Sequence, residues 1–380
     1  MKKMLKLIVT LFILNSLLAC SQETIKYTEA NKNYIKFSHL GEDVVNDTID
    51  LSSDGSTQKK LLFDQDLAMQ DLSFSTTFEI LASDSISIST GMTMGFIKLT
   101  KNKISLYQSS KNYQGTILNE QFELPDLKTG VKYEIGFHKT ISGIVFFLKS
   151  NLTLFEKKYE IDSNIFQNIM TGKPFFTLDI GSVKIYKSIL SSGYSKVPKV
   201  NVLGDSFIQG VALNQFGVSL SKRWCVKLAN NIGIQNCFID GQGGIKASKE
   251  WVDRLKLECS WFKSKYVILS IGTNNYDNIS QYMSSIKQAI GFLKSNGQIP
   301  ILVTVTPRST FNYSSTAKNI NDWIKRSGER YVDFHKAVTE ENDASKWKEG
   351  YVFSDGIHPT VMAYDAMYEQ LKKDCPYIFY

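Results

Sequence analysis

The amino-acid sequence predicts two domains of different class: an antiparallel β-sandwich over residues 25–195 and an α/β domain with a parallel sheet over residues 198–380. Three observations lead to this prediction. A chain of 380 residues is typical of two domains or of one large one. Apolar residues alternate with polar ones in the first part of the chain. In the second part, apolar runs of strand length alternate with helical patterns.

The start of the chain is predicted to be a secretory signal, residues 1–20. Three lysines precede a short apolar run, which ends in Leu-Leu-Ala-Cys at residues 17–20. This ending resembles the bacterial lipobox, which implies acylation of Cys20 and a lipid anchor. An ordinary signal peptide is the alternative. We therefore expect export and anchoring at a bacterial outer membrane or cell surface; the sequence leaves open whether the protein faces the periplasm or the exterior.

The sandwich is predicted from alternation with a period of two. Apolar and polar residues alternate at residues 86–88, 104–106, 133–137 and 183–185, and Gly- and Ser-rich turns separate such stretches. This pattern is typical of half-buried antiparallel strands. It resembles the lectin-type jelly rolls of the concanavalin or laminin-G kind, which makes carbohydrate binding one candidate role. The alternating aromatic residues are expected in the core rather than on a sugar-binding surface.

Charge and composition exclude some classes of function. The net charge of +7 includes three lysines of the signal, and no basic stripe follows, so nucleic-acid binding is not predicted. The sequence does not decide between disulfides and buried free thiols for the four remaining cysteines, and both are held equally open. These are Cys225, Cys237, Cys259 and Cys375. No histidines stand at metal-binding spacing, so no metal or other cofactor is expected. Ordinary surface or core positions are predicted for three of them: His39, His138 and His335.

The parallel sheet of the second domain is predicted from five strand candidates at residues 200–203, 235–239, 266–271, 299–305 and 331–334. A helical pattern at residues 280–295 lies between two of them. Sites in such sheets form at the carboxyl ends of the strands. Polar clusters stand at three of these ends and near the C-terminus: Gly-Asp-Ser at 204–206, Asp-Gly-Gln-Gly-Gly at 240–244, Gly-Thr-Asn-Asn at 272–275 and Asp-Gly-Ile-His at 355–358.

These residue types are the ones that acyl transfer needs. The Ser206 hydroxyl is a poor nucleophile until a base such as His358 takes its proton. Asp355 stands three residues before that histidine and can orient its ring. The developing oxyanion needs donors, for which the Ser206 N–H, a glycine N–H and the Asn274 amide are candidates. Ser206 alone, without the other clusters, is better explained as a helix N-cap.

The four clusters, in this order, closely resemble those of the SGNH (GDSL-type) hydrolases over residues 198–375. The resemblance implies a three-layer α/β/α fold and metal-free ester hydrolysis, often deacetylation. It implies that Ser206 is the nucleophile, that Asp355 and His358 complete the triad, and that Asn274 lies in the oxyanion hole. Gly244 fits the glycine donor best, with Gly243 as the alternative. Position 275 departs from the family, which usually has Asp there.

The sequence therefore predicts a serine esterase that hydrolyses acyl esters of a carbohydrate. Acetyl is the acyl group that we expect above others. The intact residues Ser206, Asn274, Asp355 and His358 favour an enzyme over a non-catalytic glycan-binding lipoprotein. A lipase acting on lipids or small esters and an acyltransferase are the alternatives within enzymes, and the same triad serves both. The expected partners are an ester substrate and a membrane.

Overall fold

The computed structural model describes residues 34–37, 48–56, 58–63, 67–81, 85–109, 116–162, 172–309 and 315–380. The predicted signal at residues 1–20, the lipid-anchor candidate Cys20 and His39 lie outside the described residues. Within the described residues, no helix is both long and apolar enough to cross a bilayer.

The N-terminal part folds into β-strands, as predicted. The strands are β1 Tyr34–Phe37, β2 Ile49–Ser53, β3 Lys59–Phe63, β4 Leu72–Ile80, β5 Ser87–Met92, β6 Gly95–Thr100, β7 Lys103–Ser109, β8 Thr116–Glu123, β9 Lys132–Thr140, β10 Gly143–Lys149, β11 Leu154–Glu160 and β12 Pro174–Ser191. They lie side by side in the order β11-β10-β9-β4-β12-β5-β6-β7-β8, with β2 and β3 also paired to β12 and β1 paired to β3.

The long strand β12 belongs to both layers of this part. Its first half pairs with β3 and β5, and its second half pairs with β2 and β4. The strand pairs with β5 up to Ile180 and with β2 from Gly181, so it changes sheets next to the register shift between Leu178 and Ile180. The two layers face each other: Ile104 from one layer and Phe146 and Tyr159 from the other line the same apolar gap. The described strands therefore form the predicted sandwich, antiparallel except where β1 meets β3.

The predicted alternation is confirmed in β9, where Tyr133, Ile135 and Phe137 are buried while His138 is exposed. Strand β5 differs, because both of its faces are buried. Ser87 and Ser89 donate hydrogen bonds to the Asp179 carboxylate at 3.0 and 3.3 Å. These serines, which the alternation predicts on a solvated face, can be buried because the Asp179 carboxylate, distant in the chain, accepts their hydrogen bonds.

The C-terminal part contains a five-stranded parallel sheet in the order β14-β13-β15-β16-β17. It forms the α/β/α fold that the sequence predicts. The helices Trp224–Ile232, Phe334–Val338 and Val361–Asp374 pack together, and the helices Lys249–Trp261, Ile279–Ser295 and Ser315–Arg326 pack together. The strands are β13 Val200–Gly204, β14 Cys237–Gly241, β15 Tyr266–Ser270, β16 Ile299–Val303 and β17 Arg330–Val332. The helices are α1 Ser206–Gln209, α2 Val211–Gln215, α3 Trp224–Ile232, α4 Lys249–Trp261, α5 Ile279–Ser295, α6 Ser315–Arg326, α7 Phe334–Val338 and α8 Val361–Asp374.

Three details of this part differ from the sequence expectations or settle them. Strand β14 begins at Cys237 rather than at residue 235, because a 3-10 turn, Ile234–Asn236, precedes it. The helix predicted at residues 280–295 is confirmed as α5. The cysteines are free buried thiols, so the disulfide alternative is wrong for this structure: Cys225, Cys237, Cys259 and Cys375.

Candidate functional site

Ser206 lies directly after β13, at the first residue of the short helix α1. The Asp205 side chain caps this helix by accepting the Phe207 N–H at 3.1 Å. The helix ends at Gly210, whose φ of 80° is in the left-handed region that glycine adopts readily. Close packing also requires glycine at position 204, since a Cβ there would clash with the Ser270 carbonyl oxygen. The local backbone thus presents the serine at the end of the central strands.

His358 contacts both Ser206 and Asp355. Its Nε2 lies 2.9 Å from the Ser206 Oγ, and its Nδ1 lies 2.7 Å from the Asp355 Oδ2. The other carboxylate oxygen of Asp355 accepts the backbone N–H groups of Ile357 and His358 at 2.9 and 3.0 Å. Gly356, with a φ of 70°, allows the tight turn. The structure therefore brings together three of the predicted site residues.

The environment of Asp355 favours its ionised form. Partial burial raises the pKa of this carboxyl group, but the hydrogen bonds from the His358 and Ile357 N–H groups and from the His358 ring outweigh burial, and the pKa lies below its ordinary value. An ionised Asp355 holds the Nδ1–H of the imidazole and leaves Nε2 to accept a proton from Ser206.

Asn274 and Asn275 follow β15 and bind the backbone of the segment after β14. Asn274 donates from Nδ2 to the Ile245 carbonyl at 2.9 Å. Asn275 is fully buried; its Oδ1 accepts the Ala247 N–H at 2.8 Å and its Nδ2 donates to the Ala247 carbonyl at 3.3 Å. Asn at position 275 therefore fixes the loop by using both functions of its amide.

The glycines after β14 differ in their hydrogen bonds. The Gly243 N–H donates to the side-chain oxygen of Gln209. Gly244 has a φ of 74°, and no acceptor within the described parts of the chain takes its N–H. Asp240, which the sequence placed in the same cluster, lies inside the strand and is fully buried, where Arg254 binds it at 2.9 Å. Asp240 therefore helps to hold the loop in place.

Asp205 is a buried acid that is not among the predicted site residues. Its side chain is almost fully buried, and burial raises its pKa to about 7 despite hydrogen bonds that lower it. The available signal was its place between an apolar strand and Ser206, at the carboxyl end of a parallel strand.

A polar rim on the Asn274 side was also missed. Arg308, which follows β16, donates from Nη1 to the Thr273 carbonyl at 2.8 Å, and its guanidinium lies 4.6 Å from the centre of the Tyr276 ring. The Lys246 ammonium lies 5.8 Å from the same ring. The next residue, Ser309, donates its N–H to the Gly356 carbonyl at 2.7 Å. This loop therefore touches both the asparagine loop and the Asp355 turn.

An apolar pair lies on another side of the Asp355 turn. The rings of Phe216 and Phe353 stack with centroids 4.3 Å apart and an interplanar angle of 11°. Phe353 belongs to the turn, because its N–H donates to the His358 carbonyl at 3.0 Å. Phe216 is 42% exposed and is therefore accessible to a ligand from solvent.

The other described histidines do not join the site. His138 pairs with the hydroxyl of Ser73 on the sandwich. His335 is buried in α7, and its backbone N–H donates to the Thr304 hydroxyl at 2.9 Å. Across the described ranges, no three His, Cys, Asp or Glu side chains lie together as metal ligands do.

Comparison with known proteins gives one match to a family model. Residues 202–366 match the model of the GDSL-like lipase/acylhydrolase family. None of the curated proteins compared with the chain matches it.

Several solved structures resemble the chain. A GDSL-like lipase from Bacteroides thetaiotaomicron is 19% identical, with a TM-score of 0.38 and coverage of 46% of this chain and 85% of that one. A member of the lipolytic G-D-S-L family from Veillonella parvula is 16% identical, with a TM-score of 0.39 and coverage of 47% and 97%. The psychrotrophic esterase EstA from Pseudoalteromonas sp. is 13% identical, with a TM-score of 0.38 and coverage of 47% and 96%.

Proposed function

Because residues 202–366 form a GDSL-like lipase/acylhydrolase domain, and the protein is thus a carboxylic ester hydrolase, we propose that Ser206, His358 and Asp355 are its catalytic triad. The observation that carries the proposal is the continuous chain of contacts from Asp355 through the imidazole to the Ser206 hydroxyl, at 2.7 and 2.9 Å. Nucleophile, base and orienting group are then all within hydrogen-bonding distance before substrate binds.

The mechanism follows from these contacts. His358 Nε2 takes the hydroxyl proton as Ser206 Oγ bonds to the ester carbonyl carbon, and the carbonyl oxygen becomes an oxyanion. The C–O bond to the alcohol breaks, the imidazolium gives its proton to the leaving oxygen, and an acyl-enzyme remains. Water then attacks with the same base, releasing the acid and restoring the serine. Asp355 stabilises the imidazolium in both halves.

We propose that the oxyanion hole consists of the backbone N–H groups of Ser206 and Gly244 and the side-chain amide of Asn274. The amide of Asn274 carries two hydrogens, and only one is used by the Ile245 carbonyl. Between the two candidate glycines, the donation of the Gly243 N–H to Gln209 supports Gly244. Each such donor contributes about a hundredfold or more to the rate.

We propose that the substrate is an acyl ester of a carbohydrate, with acetyl as the acyl group. The rim supports a polar leaving group, because the exposed Tyr276 ring offers a face for a sugar and Arg308 and Lys246 lie beside it. Hydrolysis of acetylated glycans should exceed hydrolysis of long-chain p-nitrophenyl esters. Activity confined to long acyl chains would refute the carbohydrate proposal and leave the hydrolase intact.

The triad is tested by labelling with a fluorophosphonate probe at neutral pH. Wild-type protein should be labelled and Ser206→Ala should not. Ser221→Ala, at an exposed serine in a 3-10 turn, is the matched control and should label like wild type. Absence of labelling in the wild type would refute a working nucleophile.

We further propose that the protein is exported and anchored through an acylated Cys20. The apolar run followed by Leu-Leu-Ala-Cys supports this. Metabolic labelling with a radioactive fatty acid should mark the wild-type chain and not Cys20→Ala. Equal labelling of both would refute the anchor.

A further inference from the structure

Gln209 connects the helix of the proposed nucleophile to the glycine loop Gly241–Gly244. It is the last residue of α1, and its side-chain oxygen accepts the Gly243 N–H. The contact is so close that a Cβ on Gly243 would lie 2.8 Å from that oxygen. Because Gly244 follows immediately, fixing the Gly243 amide restricts the orientation of the next peptide, which carries the Gly244 N–H.

The buried side chain of Arg223 connects Gln209 to the sandwich. Its Nη1 donates to the carbonyls of Ile208 and Gln209 at 2.6 and 3.1 Å. Both terminal nitrogens also donate to the side-chain oxygen of Gln70, each at 3.3 Å. Gln70 precedes β4 of the N-terminal sandwich and is fully buried. One guanidinium therefore holds the end of α1 and the sandwich together.

The backbone of Gln70 forms a second connection to the same loop. Its N–H donates to the Ile239 carbonyl at 2.9 Å, and the preceding residue, Met69, forms a bridge with Asp240. These are residues of β14, the edge strand that leads into the loop. The segment at Gln70 thus contacts the strand that leads into the loop through its backbone, and it contacts the end of α1, from which Gln209 reaches the loop, through Arg223.

Arg254 strengthens the base of the loop. It donates to the Asp240 carboxylate at 2.9 Å and also to the side-chain oxygen of Gln242. The Gln242 N–H in turn donates to the Gly204 carbonyl at 3.1 Å. Since the base is fixed in this way, the remaining freedom of the loop lies at Gly243 and Gly244, where Gln209 acts.

From these contacts we propose that Gln70 and Gln209 are positioning residues, through which the N-terminal sandwich holds the Gly244 N–H in the oxyanion hole. This proposal rests on the proposed hydrolase function. It assigns the sandwich a part in catalysis that is independent of any carbohydrate binding. Preorganised donors matter because they stabilise the oxyanion without rearranging during the reaction.

The first test compares kcat and KM for p-nitrophenyl acetate in full-length variants. Gln70→Met and Gln209→Met keep the approximate volume and lose the acceptor; each should lower kcat by about tenfold or more, with KM changed by less than about threefold. Gln70→Glu keeps an acceptor for Arg223 and should retain kcat within about threefold of wild type. Because the two residues act through one loop, the double Met variant should lose much less than the product of the single losses.

A matched control separates positioning from stability. Phe63 of the sandwich contacts Trp261 of α4 with ring centroids 6.0 Å apart, about two turns of helix beyond Arg254. Phe63→Leu removes packing at the same interface without touching the loop. It should lower the melting temperature while kcat stays within about twofold of wild type. A kcat loss in Phe63→Leu equal to that in Gln70→Met would overturn the proposal.

Hydrogen exchange provides a readout that does not need activity. Amide exchange in a peptide covering residues 241–245 should rise by about tenfold or more in Gln70→Met and Gln209→Met, and not in Phe63→Leu. Unchanged exchange in the Met variants would overturn the proposal even if the wild type hydrolyses no ester. Faster exchange with an unchanged kcat would overturn the catalytic part. If the wild type were neither labelled by the fluorophosphonate probe nor able to hydrolyse the ester, the proposed function itself would be refuted.

Discussion

Asn275 exchanges two hydrogen bonds with Ala247: its amide oxygen accepts the Ala247 N–H at 2.8 Å, and its amide nitrogen donates to the Ala247 carbonyl at 3.3 Å. An ionised Asp supplies only acceptors, so the residue that is usual in SGNH hydrolases cannot make the second bond here. The departure from the family pattern is therefore matched to this loop, which also carries the Ile245 carbonyl that binds Asn274.

Replacing Asn275 with the family's usual residue should destabilise the protein. In Asn275→Asp, a buried carboxylate faces the Ala247 carbonyl, and the free energy of unfolding should fall by about 1–3 kcal/mol at pH 7. Urea denaturation measures this. The control is Asn278→Asp at the N-cap of α5, where the side-chain oxygen only accepts the Gln281 N–H at 2.9 Å. That change should stay within about 0.5 kcal/mol. Equal stability of Asn275→Asp and wild type would contradict the role of the amide.

Asp355→Asn should lower kcat while preserving the turn. The amide oxygen can still accept the N–H groups of Ile357 and His358, but the ionised partner of the imidazole is lost. We expect a loss of about 10⁴-fold in kcat for p-nitrophenyl acetate, because the ring is no longer held in the required tautomer. Asp343→Asn lies in an exposed turn, where one carboxylate oxygen accepts the N–H and the hydroxyl of Ser345; it should leave kcat within about twofold and serves as the control. A loss below about tenfold in Asp355→Asn would argue against the triad.

Asn274→Ala tests the proposed oxyanion donor. Removing the amide should lower kcat by about a hundredfold or more, with KM changed by less than about threefold, because the donor acts mainly on charge that develops in the transition state. The side chain is half-buried and makes one hydrogen bond, to the Ile245 carbonyl, so the melting temperature should change little. Steady-state kinetics with p-nitrophenyl acetate measures both parameters. If kcat stayed within threefold of wild type, Asn274 would not be a donor.

How far the sequence predicts the site depends on the kind of residue. Ser206, Asn274, Asp355 and His358 could be picked out because few side chains suit acyl transfer and because three of the four clusters follow predicted strands. The Gln209 side chain escaped prediction, since a side-chain amide bonded to a backbone N–H leaves no pattern in the sequence.

The fold was predictable where the local pattern decides it. Helix α5 follows from apolar spacing within its own length. The burial of Ser87 and Ser89 does not, because it depends on Asp179, which is distant in the chain. Contacts between the two parts, such as Gln70 with Arg223, share this difficulty: each residue is an ordinary polar side chain until the tertiary structure brings them together.

Asp205 makes the stability depend on pH. Burial raises the pKa of its carboxyl group to about 7; the pKa of an unfolded Asp is about 3.9. Between these two pH values, folding takes up a proton at Asp205. The contribution of Asp205 to the free energy of unfolding is therefore fully present below about pH 4 and is lost as the pH rises to about 7. Asp205→Asn keeps an oxygen for the Phe207 N–H and does not titrate. As the pH rises through this window, the unfolding free energy of Asp205→Asn should therefore increase relative to that of wild type, by up to about 1.4 kcal/mol per pH unit.

Urea unfolding of both proteins at intervals from pH 4.5 to pH 8 measures that difference. Asp54→Asn is the control, because this carboxyl is exposed and its pKa is lowered by hydrogen bonds from Ser56. Its unfolding free energy should follow the wild-type curve at a constant offset over the whole range, since an Asp with a lowered pKa is ionised throughout in both states. Parallel curves for Asp205→Asn and wild type would mean that Asp205 is ionised in the folded protein, and that the Gly-Asp-Ser turn contains a buried carboxylate next to the nucleophile rather than a neutral acid.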